Sequence, residues 1–362
     1  MKIIHCADLH LDSKMTANLS KDKAKERKNE ILRTFTRMVD YARANAVSVI
    51  LIAGDMFDTR NVSAMVRNTV KEKIMQNPDI DFLYLKGNHD NDNFLSKLDE
   101  IPDNLCMFGE SWTTYKYDKI AITGLELNSA NSHSVYNSLT LDYDDFNIVM
   151  MHGQLTGYRS KDHAEVISLD DLKNKNIDYL ALGHVHEYRM DKLDNRGVWC
   201  YSGCMEGRGF DECGNKGFVL LDINAQAHTM NTQFIPIASR ELYTLPVDVT
   251  GIGSTQEAAR RMEEAIASAG LSSKNLVKFV LTGEVDVECE LDAQFLEEQF
   301  LEYFYFEKVY DETRVFVNYS DYEKDASLKG EFVRMVYASD LPEEEKSKII
   351  RTGILALQGE EI

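Results

Sequence analysis

Residues 81–90 read DFLYLKGNHD, in which five strand-like residues run through a lysine into a glycine and three polar side chains. The short apolar run predicts a buried β-strand, and Gly87 lets the backbone turn sharply where that strand ends. An amide, an imidazole and a carboxylate then stand side by side at Asn88, His89 and Asp90. One such cluster is common in ordinary polar turns, so its meaning depends on whether the rest of the chain supplies matching groups.

Four other predicted strands also end at a polar cluster. In chain order they are KIIHCA with DLH (residues 2–10), VILIA with GDMFD (49–58), FNIVMM with HGQ (146–154), and DYLAL with GHVH (178–186). Apolar runs that alternate with helix-period segments are typical of an α/β domain, and in such folds ligands gather outside the carboxyl ends of the strands. We therefore expect the five clusters to lie close together.

The chain divides into three predicted parts. Residues 1–240 are rich in strands and include an amphipathic helix over about 21–45. Residues 241–326 read as a small α+β domain, with a helix predicted over DAQFLEEQFLEYFY (292–305). Residues 327–362 predict a terminal helical segment.

Composition disfavours several classes of protein. The 362 residues are 44% hydrophobic and 28% charged, and the longest apolar stretches are far too short to span a bilayer. The N-terminal run MKIIHC turns polar within a few residues and lacks the features of a signal peptide, so we expect a cytoplasmic protein. Six cysteines without CxxC spacing favour reduced packing residues over a zinc ribbon or a disulfide framework.

The formal net charge of −20 is concentrated near the C-terminus. From Glu284 onward, 21 acidic and 8 basic residues leave −13, and the preceding 283 residues carry −7. Because nucleic-acid affinity comes mostly from lysines and arginines that neutralise phosphates, this acidity disfavours DNA as a partner. Six basic residues after the first cluster could form a local basic edge that binds DNA. A solvated helix face explains them equally well. They are Lys14, Lys21, Lys23, Lys25, Arg27 and Lys28.

Seven side chains in the clusters are candidate metal ligands: Asp8, His10, Asp55, Asn88, His152, His184 and His186. Oxygen and imidazole donors without a thiolate suit manganese, iron(II) or zinc. Seven ligands are enough for two ions if one carboxylate bridges them, and Asp55 at the end of a buried strand is the predicted bridge. The spacing of Asp8 with His10, and of His184 with His186, predicts that each pair lies on one side of an extended backbone.

The chemistry expected of such a site is phosphoester hydrolysis. Two metal ions roughly 3.5–4 Å apart clamp a phosphoryl group and share a hydroxide aimed at phosphorus. His89 follows the candidate ligand Asn88 and is the predicted general acid for the leaving oxygen, with Asp90 predicted to orient it.

The motifs DLH, GDMFD, GNHD, HGQ and GHVH, in this order, resemble the five motifs of the calcineurin-like metallophosphoesterase superfamily over about residues 1–240. The resemblance implies a four-layer α-β-β-α sandwich and a catalytic role for His89. It implies one metal ion held by Asp8, His10, Asp55 and His186, and another held by Asp55, Asn88, His152 and His184.

Three longer stretches resemble the SbcD type of DNA-repair exonuclease subunit within that superfamily. They are HCADLHLDS (5–13), LIAGDMFDT (51–59) and YSGCMEGRGFDECGNKGF (201–218). The narrower resemblance implies a manganese-dependent DNA exonuclease and endonuclease in repair and recombination. It also implies a capping domain beyond residue 240 and a coiled-coil ABC-type ATPase partner of the SbcC kind. Ser202 replaces a proline that is common in the family, and whether the chain forms a homodimer stays open.

Two alternatives to a DNA nuclease remain. A phosphodiesterase or phosphatase for small molecules or nucleotides needs no basic track and fits the acidity, and a noncatalytic scaffold would keep the fold without the chemistry. The glycine-rich stretch 203–217 lacks the GxxxxGK[ST] pattern, so we predict a hairpin-like loop at the rim of the site, with Arg208 as a candidate contact to substrate phosphate.

Overall fold

The computed structural model of the protein describes residues 1–15, 19–58, 62–90, 100–157, 165–287, 289 and 291–358. The chain folds into two compact units, Met1–Glu241 and Leu242–Ile362. The predicted capping role of the region beyond residue 240, and a further division at residue 327, stay predictions. No helix within the described ranges is long and apolar enough to cross a membrane.

The first unit contains two six-stranded sheets. Its strands, in chain order, are β1 (Lys2–Cys6), β2 (Val47–Ala53), β3 (Asp81–Leu85), β4 (Leu105–Met107), β5 (Thr113–Tyr117), β6 (Ile120–Gly124), β7 (Phe146–His152), β8 (Gln154–Leu155), β9 (Val166–Ile167), β10 (Tyr179–Gly183), β11 (Arg189–Lys192), β12 (Val198–Tyr201), β13 (Gly217–Asn224) and β14 (Thr229–Pro236). Its described helices are α1 (Lys21–Ala44), α2 (Ala64–Met75), α3 (Val135–Ser138) and α4 (Leu169–Leu172).

The strands that precede the five clusters are central and parallel. One sheet has the order β14-β13-β1-β2-β3-β4 and the other the order β11-β12-β10-β7-β6-β5. Strands β1, β2 and β3 run parallel to one another, as do β7 and β10. Their carboxyl ends therefore present the polar clusters at neighbouring positions, as the sequence predicts.

The two sheets pack face to face between outer helices, which confirms the predicted α-β-β-α order of layers. Along β1 and β2, Ile3 and Val49 belong to the core between the sheets, whereas Ile4 and Ile50 belong to the core under α1 and α2. This period of two places every second side chain on the opposite face. Each fully buried aliphatic side chain stabilises the fold by about 1.5–3 kcal/mol.

The second sheet is covered by its own layer. Val135 and Tyr136 of α3 and Leu172 of α4 share a core with Val149 and Leu180 on the outer face of that sheet. Both central sheets are thus buried on two sides, which explains the near-continuous apolar runs of their strands.

A buried histidine links the two sheets. His5 in β1 is fully buried, and its Nδ1 lies 2.8 Å from the hydroxyl of Tyr179 in β10. Burial disfavours the charged ring and lowers the pKa of His5 to about 3. This histidine is a packing residue whose neutral form the fold requires.

Helix α1 begins at a serine cap and buries one face against the first sheet. The side chain of Ser20 accepts a hydrogen bond from the backbone N–H of Lys23, and Phe35 and Met38 are fully buried. The bounds Lys21–Ala44 confirm the helix predicted over about 21–45.

Two of the six residues that could form a basic edge, Arg27 and Lys28, lie on α1 and are ion-paired within the protein. Arg27 is fully buried and donates to the carboxylates of Glu30 and Glu206 at 2.5 and 3.2 Å. The ammonium of Lys28 lies 2.5 Å from Asp12. Because both charges are paired with carboxylates, neither is free to bind a phosphate backbone.

The second unit is a separate α/β structure. Its strands are β15 (Leu242–Asp248), β16 (Leu276–Thr282), β17 (Glu284–Asp286), β18 (Phe306–Asp311) and β19 (Arg314–Phe316). Its described helices are α5 (Thr255–Ala269), α6 (Ala293–Phe300), α7 (Tyr319–Tyr322), α8 (Leu328–Tyr337) and α9 (Glu343–Gln358). Strands β15, β16 and β18 form a parallel sheet, and β17 pairs with β19.

The helix predicted over 292–305 ends earlier in the structure. Helix α6 stops at Phe300, and the backbone N–H of Tyr305 donates to the carbonyl of Asn275 at 3.1 Å. The chain then continues as β18 beside β16. Tertiary pairing with a strand distant in sequence therefore overrides the local helical pattern.

Candidate metal centre

The loops that follow β1 and β2 are joined by backbone hydrogen bonds. The N–H of Asp8 donates to the carbonyl of Gly54 at 3.0 Å, and the N–H of His10 donates to the carbonyl of Asp55 at 3.0 Å. A third element joins them, because both carboxylate oxygens of Asp8 accept from the N–H of His184 at 3.0 Å. These hydrogen bonds therefore hold three clusters that are distant in sequence next to one another.

Four of the seven predicted ligands have left-handed backbone conformations. The φ angles are 51° at Asp8, 44° at His10, 51° at Asp55 and 102° at His184. The predicted reason for the pairing of Asp8 with His10 and of His184 with His186, an extended backbone with alternating side chains, is therefore wrong. Non-glycine residues with positive φ cost about 1–3 kcal/mol each and concentrate at functional sites.

The first group of donors is Asp8, His10 and His186. One ligand atom from each lies within 4.8 Å of the others. The Nε2 atoms of His10 and His186 are 3.1 Å apart, and their rings meet edge to face. Two imidazole nitrogens at this distance need a proton or a cation between them, because two facing lone pairs repel.

The second group of donors is Asp55, His152 and His184, again with ligand atoms within 4.8 Å of one another. The Nε2 of His152 lies 3.4 Å from Asp55 Oδ2 and 2.9 Å from Asn88 Oδ1. Its Nδ1 lies 2.9 Å from the carbonyl oxygen of Ala53. That carbonyl accepts the Nδ1 proton, so in the neutral ring the other nitrogen carries the lone pair that a metal ion would use.

Two glycines allow the clusters to approach this closely. A Cβ at Gly54, where φ is 94°, would lie 2.0 Å from the Nδ1 of His152. A Cβ at Gly87 would lie 2.2 Å from Asp55 Oδ1. A side chain at either position would displace a candidate ligand.

The charges at this edge favour cations. Burial acts to raise the pKa of Asp55, but His152 outweighs it and holds that pKa below its usual range. Burial acts to lower the pKa of His152, but Asp55 and Asp8 raise it to about 9. The negative potential that attracts a proton to His152 attracts a metal ion for the same reason.

The residues present fit two divalent cations. His184 Nε2 is buried and has no hydrogen-bond partner among the described residues, as expected of a nitrogen that serves as a metal ligand. Neither donor group contains a thiolate, which is typical of sites for manganese, iron(II) or zinc. Each group contains three of the four ligands that the motif resemblance implies for one ion, and the full assignment of ligands stays a prediction.

His89 and Asp90 lie beside the donor groups. The backbone N–H of His89 donates to Asp55 Oδ1 at 2.9 Å, and its ring centroid is 5.2 Å from that of His10. The Asp90 carboxylate accepts from the backbone N–H groups of Phe57 and Gly87 at 2.9 and 3.0 Å, and loss of water with the nearby charge of Asp55 raises its pKa to about 6. Asp90 therefore ties two loops together, and its predicted orientation of His89 stays a prediction.

Two carboxylates at the site were not predicted. Asp58 Oδ1 lies 3.0 Å from His10 Nδ1, and Glu212 Oε1 lies 2.7 Å from His186 Nδ1. Arg208 contacts both carboxylates, at 2.8 Å for Asp58 and 3.1 Å for Glu212. Asp58 ends the motif GDMFD and Glu212 ends the stretch GFDE, but no neighbouring residue in either stretch indicates that the carboxylate contacts an imidazole.

A cleft of about 480 Å³ opens beside Asn88 and His152. Its described lining carries several carboxylates and a lysine whose ammonium lies 3.1 Å from Glu126. These charged lining residues are Lys86, Asp90, Glu110, Glu126 and Glu165. The cleft is acidic, which disfavours an extended polyanion on that side of the site.

The sequence is similar to proteins of one family. The family described as Calcineurin-like phosphoesterase matches residues 1–188. The chain is 28% identical over 236 residues to the uncharacterized metallophosphoesterase YhaO of Bacillus subtilis, covering 62% of this chain and 57% of the relative. The chain thus spans little more than half the length of that relative.

Two archaeal proteins named DNA double-strand break repair protein Mre11 are also similar. The protein of Sulfolobus acidocaldarius is 23% identical over 308 residues, which cover 79% of this chain and 76% of the relative. The protein of Sulfurisphaera tokodaii is 26% identical over 281 residues, which cover 73% and 69%. The family match extends over more than half of the sequence and contains most of the candidate metal centre, and the chain therefore belongs to the calcineurin-like phosphoesterase family.

Proposed function

We propose that this protein is a two-metal phosphodiesterase of the SbcD type that cleaves DNA. The observation that carries the proposal is the meeting of two separate donor groups, Asp8 with His10 and His186 and Asp55 with His152 and His184, at one edge of the sandwich. In the proposed assignment Asp55 would serve as a ligand for both ions, and Asn88 would complete the second group. Manganese is the metal that we propose, with iron(II) and zinc as the alternatives.

The bound ions supply Lewis acidity, lowering the pKa of water and offsetting phosphate charge. The protein's own part is to orient the ligands and to deliver a proton. His89 is held by its backbone to Asp55 and stands beside His10, and in the proposed assignment it donates a proton to the leaving oxygen. Asp90 keeps the turn at Gly87 in place for this purpose.

Support for DNA as the substrate comes from the relatives and from the SbcD-type motifs. Two relatives that align over more than 70% of this chain are named as proteins of DNA double-strand break repair. The charge distribution works against unaided DNA binding, since Arg27 and Lys28 are already paired. We therefore propose that another protein contributes most of the affinity for DNA.

The proposed partner is a coiled-coil ABC-type ATPase of the SbcC kind. Helix α8 in the second unit exposes Leu328 and Met335, which are seven residues apart and therefore share one face, with 72% and 69% of their surface accessible. Large apolar side chains exposed together on one short helix are typical of a protein interface. Copurification from the native cell, followed by identification of bound proteins, tests this part of the proposal.

The acidic cleft beside Asn88 favours a second candidate function. A phosphodiesterase for small molecules needs no basic track, and carboxylates such as Glu126 and Glu165 would accept hydrogen bonds from a neutral or cationic leaving group. In this alternative the same metal centre acts on nucleotides or small phosphodiesters.

One set of assays separates these functions. The purified protein is given single-stranded DNA, double-stranded DNA, nucleotides and nitrophenyl phosphodiesters, each with Mn²⁺, beside the variant His89→Gln and the control His133→Gln, which changes an exposed histidine. We expect DNA cleavage by the protein and by the control, and loss of cleavage in His89→Gln. Turnover of small esters without DNA cleavage would support the second function, and two bound metals without any turnover would support a noncatalytic scaffold.

A further inference from the structure

The imidazole of His186 is oriented by a carboxylate from the glycine-rich loop. Glu212 Oε1 lies 2.7 Å from His186 Nδ1, whereas Arg208 Nη2 lies 3.4 Å from the same nitrogen. Nδ1 cannot donate to one and accept from the other at once, and the shorter contact to the carboxylate places the proton on Nδ1. His186 Nε2 is thereby left as a lone-pair donor that faces His10.

A second carboxylate lies beside His10, at ion-pair distance but without hydrogen-bond geometry. Asp58 Oδ1 lies 3.0 Å from His10 Nδ1, and His10 Nε2 lies 3.1 Å from His186 Nε2. Both imidazoles of the first donor group thus have a carboxylate behind them and their other nitrogen directed to one point.

Arg208 joins the two carboxylates. Its Nη1 donates to Asp58 Oδ1 at 2.8 Å and its Nη2 donates to Glu212 Oε1 at 3.1 Å. Its own backbone N–H donates to Glu212 Oε2 at 2.7 Å. The guanidinium therefore offsets the repulsion between two carboxylates and sets the distance between them.

The loop is fastened to the strand end that carries His186. The ammonium of Lys216, a largely buried side chain, donates to the carbonyl of His186 at 2.8 Å, and the backbone N–H of Cys204 donates to the same carbonyl at 3.4 Å. The loop from Ser202 to Gly217 is thus held on both sides of Glu212.

The second donor group is built differently. The Nδ1 of His152 faces the backbone carbonyl of Ala53, and the Nε2 of His184 has no partner within the described part of the chain. The carboxylates of Asp58 and Glu212 lie against the histidines of the first group instead. One group can therefore be perturbed while the other serves as a reference.

We propose that Asp58, Arg208 and Glu212 form a positioning unit for one of the two metal ions. By hydrogen bonding His186 Nδ1 through Glu212 and placing the Asp58 carboxylate beside His10 Nδ1, the unit sets the affinity of the first donor group without contacting the second. The inference rests on the proposed two-metal function. The proposed unit also gives the glycine-rich loop 203–217 a role at the site, because Arg208 in this loop contacts the two carboxylates that lie beside the histidines.

The test is a titration of metal-free protein with Mn²⁺, followed by calorimetry and by electron paramagnetic resonance of the free ion. The variant Glu212→Gln keeps the shape of the side chain and removes its charge. We expect two bound ions in the unchanged protein. In the variant we expect one site to weaken by about tenfold or more and the other to keep its affinity.

Glu206→Gln is the matched control. Glu206 is a buried carboxylate in the same loop, but it contacts Arg27 and Thr34 instead of a candidate ligand. We expect it to lower the melting temperature and to leave both metal affinities unchanged. Asp58→Asn is the second variant if Glu212→Gln does not fold, and it should weaken the same site.

The outcomes separate the inference from the function on which it rests. Fewer than two ions in the unchanged protein would defeat the proposed two-metal function. Two ions in the unchanged protein with unaltered affinities in both Glu212→Gln and Asp58→Asn would overturn the positioning unit alone. Equal weakening of both sites in Glu212→Gln, matched by Glu206→Gln, would also overturn it, because a general loss of loop structure would then explain the effect.

Discussion

Replacing Gly54 by alanine tests whether close packing of the loops creates the metal centre. The new Cβ would lie 2.0 Å from His152 Nδ1 and 2.5 Å from its Cγ, distances at which real side chains do not meet. The ring must therefore retreat by about 1 Å or more. That movement breaks the 2.9 Å contact of Nδ1 with the carbonyl of Ala53 and moves Nε2 away from Asn88.

A matched variant separates this clash from backbone strain. Gly157 has φ of 90°, close to the 94° of Gly54, but a Cβ at Gly157 would meet no atom of the described residues within 4 Å. Strain alone costs about 1–2 kcal/mol at either position. The clash adds about 1–3 kcal/mol at Gly54. We therefore expect Gly54→Ala to lose roughly 2–5 kcal/mol of unfolding free energy and Gly157→Ala roughly 1–2 kcal/mol.

Metal binding gives the sharper readout. We expect calorimetric titration with Mn²⁺ to show one site weakened about 10–100-fold in Gly54→Ala, because a displaced imidazole no longer faces the ion. Gly157→Ala should bind both ions as the unchanged protein does. Equal metal affinities in the two variants would rule out this mechanism, since the clash with His152 would then have no consequence for the site.

Three further predictions concern single side chains. His89→Gln should lower kcat for phosphodiester cleavage by about 10²–10⁴-fold with metal affinity unchanged, and loss of metal binding in a calorimetric titration would contradict a proton-donor role. The pKa of His5 falls from 6.5 to about 3 on folding, so below pH 6.5 the unfolded chain binds a proton that the folded protein does not. The protein therefore keeps its full stability with respect to His5 above pH 6.5 and loses stability as the pH falls toward 3. Urea titrations should show a loss of about 2 kcal/mol from this group between pH 7 and pH 5 that His5→Gln lacks, and an identical loss in the variant would contradict the assignment. Arg27→Met removes the buried cation shared by Glu30 and Glu206, although Arg240 still pairs with Glu30, and should cost about 1–3 kcal/mol in denaturant unfolding; a change below about 0.5 kcal/mol would show that the Arg27 contacts are unimportant.

Much of the fold was predictable because its signals are local. The apolar runs that became β2 and β7 are short and buried on both faces, and each ends at a polar cluster. Parallel strands bring their carboxyl ends to one edge, so the convergence of Asp8, Asp55 and His152 followed from topology.

The backbone at the site could not be predicted from that pattern. Asp8 and His10 have the spacing of an extended strand, yet both adopt positive φ angles. The hydrogen bonds that impose these angles come from the backbone around Gly54, more than forty residues away in sequence. Side-chain spacing therefore identified the residues but not the geometry that presents them.

The missed residues depend on contacts across long sequence separations. Glu212 meets His186 across 26 residues and Arg27 meets Glu206 across 179. No periodicity encodes such pairs, since each partner looks like an ordinary surface charge in its own segment. The same reasoning explains why α6 ends at Phe300, where pairing of β18 with β16 replaces the predicted helix.

The proposed function depends on two divalent cations at the edge where five strands end. Crystals grown with Mn²⁺ and measured on both sides of the manganese absorption edge would locate them. We expect two anomalous peaks, one beside His10 and His186 and the other beside His152 and His184. A single peak, or no peak among these four imidazoles at a Mn²⁺ concentration that supports catalysis, would contradict the two-metal assignment.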